Sequence, residues 1–414
     1  MRAALAAVIA AAGLLACQPQ LPPADLAPGT GDDPRPMGAT EIAVPAPEGA
    51  SLPMLTSTAD GGLLLGWTEP VAGGHRIRFA ERRGNHWSEP RTIAESERLF
   101  VNWADTPSLL VLPDGRLAAH WLVKTGPRGY DYEIRLATSG DGGRTWSPPV
   151  VPHRDGVDAE HGFVSLFPQG DALGLVWLDG RATAGGHPHD GPGATALRHA
   201  SLAADGALSQ ETVIDARVCD CCQTGAAVSD GRVVVVYRDR GEDERRDISF
   251  ARLEAGAWSA PAELGRDGWI MPACPVNGPQ LAARGPRVAA AWFTSAGGTA
   301  RVRFALSTDA GKSFPHHVDL DVDAPLGRVD VGWLADGGAL VTWLRPLPPK
   351  SGQVVARRVS PEGAPGEQVV VGVTGAARSS GFPRLEVMGD TAFVAWTDSR
   401  AETPRLKLVA LAPR

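Results

Sequence analysis

After residue 16 the chain has no apolar run long enough to cross a bilayer as a helix, so no transmembrane helix is expected beyond the leader. It also lacks a surplus of basic residues: 40 Lys and Arg stand against 47 Asp and Glu, a formal charge of −7. Nucleic acid and anionic bilayer surfaces are poor electrostatic matches for such a chain, and neither is expected as a direct partner. The 49 glycines and 35 prolines follow no collagen period and are too many for a helical bundle. Tyrosine is scarce, with three residues, the last at Tyr237. What is present, 43% hydrophobic and 21% charged residues over 414 positions, suffices for a large core interrupted by many turns.

Residues 1–16 have the charged start and short apolar stretch of an export signal, and they end in Leu14-Leu15-Ala16 before Cys17. This segment resembles a bacterial lipobox, which implies lipidation of Cys17, and Gln18 after it favours the outer membrane, facing the periplasm or the cell surface. Residues 17–39 are rich in Pro, Gly and Asp without periodicity and read as a tether. A single domain is expected over 40–414, acting as a monomer.

Within that domain a four-part unit recurs. Trp67, Trp121, Trp177, Tyr237, Trp292, Trp343 and Trp396 follow one another at intervals of 54, 56, 60, 55, 51 and 53 residues. Each ends a short apolar run that follows a turn signal and reads as a buried strand. Another strand precedes each, opening near Pro53, Pro107, Val164, Ala226, Pro279, Val329 and Pro383. Alternating strands such as RIRFA (76–80) and RVRFA (301–305) follow, and most units add a fourth, as at 149–152. Four antiparallel strands repeated radially make a β-propeller. The last unit runs out after its third strand, so Thr40 to Pro45 is expected to complete it and close the ring. The count gives seven blades, with six as the alternative.

Two turns carry a family resemblance. Ser139-Gly140-Asp141-Gly142-Gly143-Arg144-Thr145-Trp146 and Ser307-Thr308-Asp309-Ala310-Gly311-Lys312-Ser313-Phe314 resemble the Asp-box of the sialidase and BNR propellers, with worn copies at 84–87 and 256–258. The box is a folding device, in which Asp accepts backbone N–H groups, Gly supplies positive φ and the aromatic packs beneath. The resemblance implies a six-bladed sialidase fold, three arginines on a substrate carboxylate and a late tyrosine nucleophile assisted by a glutamate. Here Ser51-Leu52-Pro53 stands where that family has Arg-Ile-Pro, and no tyrosine follows Tyr237. Exo-sialidase activity is therefore not expected.

In a four-stranded meander the loop entering the innermost strand and the loop leaving the second strand share one face, opposite the Asp-boxes. That face gathers Asp105, His161, Asn277, Arg328 and Arg378 before innermost strands, and Asp179, Arg181, Arg238, Asp239, Arg240, Asp398 and Arg400 after second strands. Arginine forks and carboxylates together suit a polar or anionic ligand, with a glycan the leading expectation. Asp105, Asp179 and Asp239 are the candidate catalytic carboxylates of an alternative glycoside hydrolase reading. The W-x-D-x-R pattern at 177–181 and 396–400 reads equally as an ion pair that fixes a loop. Residues 238–247 (RDRGEDERRD) read as a solvated loop, or as a lid bringing Asp239 and Arg240 to the mouth.

Cys219, Cys221, Cys222 and Cys274 also precede innermost strands of neighbouring units, and they should meet at the mouth. In an oxidising compartment two disulfides are the leading expectation. The alternative is a thiolate metal or redox site for Cu or Zn, with His161 a distant further ligand and Asp220, Gln223 and Asn277 as polar surroundings. No organic cofactor is expected.

Overall fold

The computed structural model describes residues 37–183 and 193–413; the leader, Cys17 and most of the tether lie outside the described residues. The described chain is all-β apart from three 3₁₀ turns of three residues each. None of its helices is long and apolar enough to cross a membrane. Its strands form seven antiparallel sheets, so the count of seven holds and the six-bladed alternative does not.

Blade 3 shows the pattern: innermost strand His161–Gln169, second strand Ala172–Asp179, third strand Ala196–Leu202 and outer strand Thr212–Asp215. Blade 2 departs from it. Its sheet has three strands, and where an outer strand was expected at 149–152 there is one isolated bridge, Leu136 to Val150. In the last blade, Arg405–Pro413 pairs with Met37–Glu41 in the register Met37↔Pro413 to Glu41↔Val409. The closing strand therefore begins three residues before the expected Thr40 and takes in the end of the presumed tether. The apolar residues that suggested a strand there, Ile42 and Val44, pack instead on the cluster that the first and last blades share.

The repeating aromatics are wedges between blades. Trp67, Trp177, Trp292 and Trp343 have no exposed surface, and Tyr237 is 1% exposed. Each side chain packs against the blade before its own: Trp67 against Leu406 and Leu408, Tyr237 against Leu178 and Leu197, Trp292 against Val236 and Phe250, Trp343 against Val302 and Phe304. The indole N–H groups are not stranded by this burial, since Trp67, Trp177, Trp292 and Trp343 donate to Glu69, Asp179, Asp267 and Asp321 at 2.6–2.8 Å.

The Asp-box at 307–314 lies between a third and a fourth strand, and the one at 139–146 lies between the third strand of blade 2 and its isolated bridge. Asp141 accepts the backbone N–H groups of Arg144 and Thr145, each at 2.9 Å, and the hydroxyls of Ser139 and Thr145. Asp309 repeats the pattern with Ser307 and Ser313; these bonds outweigh the burial that opposes its charge and hold its carboxyl down at about 2. Arg91 and Arg252 reach from the neighbouring blade to the Gly142 and Ala310 carbonyls of the boxes.

Trp292→Ala should destabilise the protein by about 3–5 kcal/mol in urea denaturation, the usual cost of emptying a large aromatic site. A change below about 1 kcal/mol would show that the wedges do not hold the blades together.

Candidate functional site

Three innermost strands enter through a bulge whose residue has positive φ: Leu52 at 56°, Phe163 at 52° and Arg328 at 61°. A bulge leaves a backbone N–H outside the ladder. A polar side chain from another blade takes up each one: Thr397 accepts from Leu52, Asp105 from Phe163 at 2.8 Å and Asn277 from Arg328 at 2.7 Å. Gln223 does the same for Gly278 at 3.0 Å while donating to the Ala104 carbonyl at 2.7 Å. Gly278 is required there, because a Cβ would lie 2.0 Å from the Gln223 carbonyl oxygen. Asp105, Gln223 and Asn277 thus spend hydrogen-bonding capacity on holding the lead-in segments in place. Below them the innermost strands line an axial channel of about 530 Å³ that includes Asp330, Arg384 and Glu386.

At the channel mouth three groups share one basin. The first is Trp103, with the Arg328 guanidinium 4.9 Å and the Arg378 guanidinium 5.8 Å from its ring centroid. Arg328 is buried and donates to the Ala377 and Gly381 carbonyls at 3.2 and 3.1 Å. Burial and the charge of Arg378 push its pKa down to about 10. Arg378 itself is exposed.

The second group is Tyr132, whose hydroxyl lies 2.9 Å from Asp105 and 2.8 Å from Glu160. A phenol has one proton to give, so both contacts are satisfied together when one carboxyl is protonated and donates in return. Burial drives both acids that way, Asp105 up to about 7 and Glu160 up to about 8, with Asp105 adding its own repulsion on Glu160. A Cβ on Gly162 would sit 1.9 Å from an Asp105 oxygen, so the acid is packed against bare backbone. Tyr130, 51% exposed, lies within electrostatic reach of Glu160, Cys221, Cys274 and Arg378.

The third group is the thiols. Cys219 Sγ is 3.4 Å from Cys222 Sγ and 3.8 Å from Cys221 Sγ, and Cys274 donates to Asp220 at 3.4 Å. The segments do meet at the mouth, and no two of the four sulfurs stand at bonding distance, so the expected pairing is not seen. The reason is local: one short turn presents three sulfurs to one point, at van der Waals rather than bonding distance. Burial pushes the Cys219 thiol up to about 12. Burial opposes ionisation of Cys222 as well, yet hydrogen bonds from Cys219 and Cys221 with the Arg238 charge hold it well below the usual thiol range.

The other predicted residues fall outside this basin or support it. Asp179 is fully buried, accepting Trp177 Nε1 at 2.8 Å and a two-pronged bond from Arg181 at 2.6 Å. Around it His153 and His161 stack at 3.7 Å, both facing Asp155, with Glu211 closing on Arg181 at 2.8 Å. Burial opposes the Asp155 charge, but bonds from the two histidines hold it well below the ordinary carboxylate range. Asp398 and Arg400 form a two-pronged pair with each other at 2.7–2.9 Å. Asp239 accepts Ser249 at 3.2 Å and faces Asp215, sharing no contact with Asp105. Residues 238–247 are solvated only in part: Glu242, Asp243 and Arg245 are exposed, whereas Arg238, Arg240, Arg246 and Asp247 are buried, with Arg240 on Glu244 at 2.8 Å. Trp103, Tyr130 and Glu160 were absent from the candidate set. Their signal was position, since all three lie in loops on the face already identified.

The Asp105 and Glu160 carboxyls set a pH dependence. Ordinary values of 3.8 and 4.5 rise to about 7 and 8 in the folded protein. Between those limits the unfolded chain has released protons that the folded chain keeps, so stability from this pair falls as pH rises through the window. The urea midpoint should drop from pH 4.5 towards pH 8, and Glu160→Gln should flatten that slope. A slope unchanged by the substitution would place the titration elsewhere.

Comparison with known proteins follows the fold. The family described as BNR repeat-like domain matches residues 75–368. No curated protein matches the chain in sequence. A protein of unknown function from Dyadobacter fermentans superposes with a TM-score of 0.54 at 14% identity, over 91% of this chain and 98% of its own. The polysaccharide lyase Uly1 gives 0.52 at 8% identity, over 87% and 89%. An α-L-arabinofuranosidase, Arb93A of Fusarium graminearum, gives 0.49 at 13% identity, over 88% and 93%. With seven blades, paired Asp-boxes and a sequence match across most of its length, the chain belongs to the BNR repeat-like domain family.

Proposed function

We propose that the channel mouth binds an acidic oligosaccharide, and that the protein does so as an exported monomer anchored through a lipid on Cys17, at the outer membrane. The observation that carries this reading is the pair of guanidiniums at Trp103. Neither Arg328 nor Arg378 forms an ion pair with a described carboxylate, although the chain has a net charge of −7 and most other mouth arginines are paired. Two uncompensated positive charges beside an aromatic face, on the axis of a propeller, suit a ring-shaped ligand that bears carboxylate or sulfate. Arg384 lies deeper in the channel, donating to Thr106 at 2.9 Å with Asp330 as its charge neighbour. Tyr130 supplies a second exposed aromatic for a sugar face. The fold shared with a polysaccharide lyase supports a saccharide over other anions.

Uronate oligosaccharides should bind more tightly than neutral glucans of equal length, and affinity should fall with added salt. Arg378→Ala, at an exposed position, should weaken uronate binding at least about tenfold, or about 1.4 kcal/mol. Asp398→Ala should leave it unchanged. Calorimetry giving equal affinities for Arg378→Ala and the unaltered protein, or for neutral and acidic glucans, would end this reading.

One observation favours a second reading, a divergent glycoside hydrolase. Glu160, with its pKa pushed up to about 8 by burial, is a carboxylic acid that keeps its proton at neutral pH beside the same basin, as a general acid must. On this reading Glu160 and Asp105 form the acidic pair, because Asp239 belongs to a different cluster. Glu160→Gln should abolish turnover of chromogenic glycosides while leaving binding intact; absence of turnover by the unaltered protein on any substrate tried would leave binding alone.

A further inference from the structure

We propose that Cys219, Cys221 and Cys222, with Cys274 beside them, form a site for one thiophilic d¹⁰ metal ion, Cu(I) or Zn(II). The spacing of the donors carries the argument. The three sulfurs lie within 4.8 Å of one another, with separations of 3.4 and 3.8 Å from Cys219. Ligands placed about 2.3 Å from a shared ion are themselves about 3.8–4.0 Å apart, so the donors already sit at the edges of such a polyhedron.

The turn that presents them is fixed at both ends. Val218 bridges to Asp239, the Cys219 N–H donates to the Arg238 carbonyl at 3.0 Å, and Gln223 is held by Ala104 and Gly278. A site whose backbone is fixed before the ion arrives loses little entropy on binding. Cys219 and Cys222 are 1% exposed, whereas Cys221 and Cys274 are partly open, so an ion would arrive from the basin side. On that side Cys221, Cys274 and Asp220 also lie within 4.8 Å of one another, which offers a fourth ligand to an ion that needs one.

Charge supports the same conclusion. Three thiolates leave a net −2 on Cu(I) or −1 on Zn(II), and each ligating thiol releases its proton to solvent, with no change of oxidation state. Arg238 and Arg246 are fully buried next to the turn. Arg238 spends its donors on the Asn277, Arg246 and Phe293 carbonyls and pairs with no described carboxylate. Arg246 pairs with Glu244 at 2.7 Å and Asp220 at 3.6 Å. A buried cation without a described carboxylate, as Arg238 is, costs several kcal/mol unless an anion is near, and a metal–thiolate centre supplies one. An all-sulfur triangle selects against Mg²⁺ and Ca²⁺, which require oxygen ligands.

The test uses the protein purified anaerobically under reducing conditions, with Cys219, Cys221, Cys222 and Cys274 confirmed as free thiols. It is offered Cu(I) against bicinchoninate and, separately, Zn(II) against a chromophoric chelator. One ion per chain should survive gel filtration, and which ion competes successfully identifies the metal. Cys221→Ser and Cys222→Ser should each lower retention at least tenfold while the thermal unfolding curve of the metal-free protein stays in place. Retention of neither ion by a folded protein with these four thiols free, or equal retention by the serine variants, would overturn the proposal. Because no saccharide enters the assay, its outcome is independent of the acidic-ligand reading.

Discussion

The structure depends on one interaction repeated around a circle: an aromatic at the end of each second strand driven into the sheet before it. Burying an indole removes on the order of 200 Å² from water, worth several kcal/mol, and no single blade has an apolar partner of its own for that surface. Trp67 needs Leu406 and Leu408, just as Trp343 needs Val302 and Phe304. Each wedge therefore ties two blades, and only a closed ring satisfies all seven. The carboxylates that accept the indole N–H groups come either from the end of the same strand, as Glu69 and Asp179 do, or from the outer strand region of the blade before, as Asp267 and Asp321 do, so several of the acids on the rim are consequences of the wedge. Asp179 with Arg181 and Arg198 illustrates this: the acid is where the indole needs it, and the guanidiniums are where the acid needs them.

Ring closure also decides what can gather at the axis. The lead-in segments of successive blades converge there, and Asp105, Gln223 and Asn277 bind them to one another by taking up N–H groups that bulges or close approach have left over. That backbone scaffold separates two kinds of polar residue. Those whose bonds are directed into the scaffold are framework. Arg378, Tyr130, Glu160 and Cys221 retain surface towards the basin and are the groups that a ligand can reach. The distinction depends on which atoms are already engaged, and residue type alone does not reveal it.

The blade number and the face that carries the polar groups were legible in the sequence because both follow from periodic features, a 51–60-residue recurrence and strand alternation. The closing strand begins three residues earlier than the pattern suggests because Ile42 and Val44 alternate as a strand would, while their side chains pack on the cluster between the first and last blades. Blade 2 lacked a full outer strand although residues 149–152 read as one, since a Pro on each side of Val150-Val151 restricts pairing to a bridge. Non-periodic features were the hardest. That Trp103 lies between two arginines, or that Cys219 faces Cys221 and Cys222 rather than bonding to Cys274, is set by how loops from different blades meet, which no local pattern records.

Closing the circle by pairing Met37–Glu41 with Arg405–Pro413 joins residues such as Glu41 and Val409, which are 409 minus 41, or 368, positions apart. On a nascent chain the first of these strands has no partner until the last has been made, and the incomplete torus carries two raw sheet edges throughout. Two molecules caught at that stage can each lend the other an opening strand, giving a domain-swapped pair with every native hydrogen bond intact. The seam of the ring is thus the point at which crowding during synthesis competes with self-sealing.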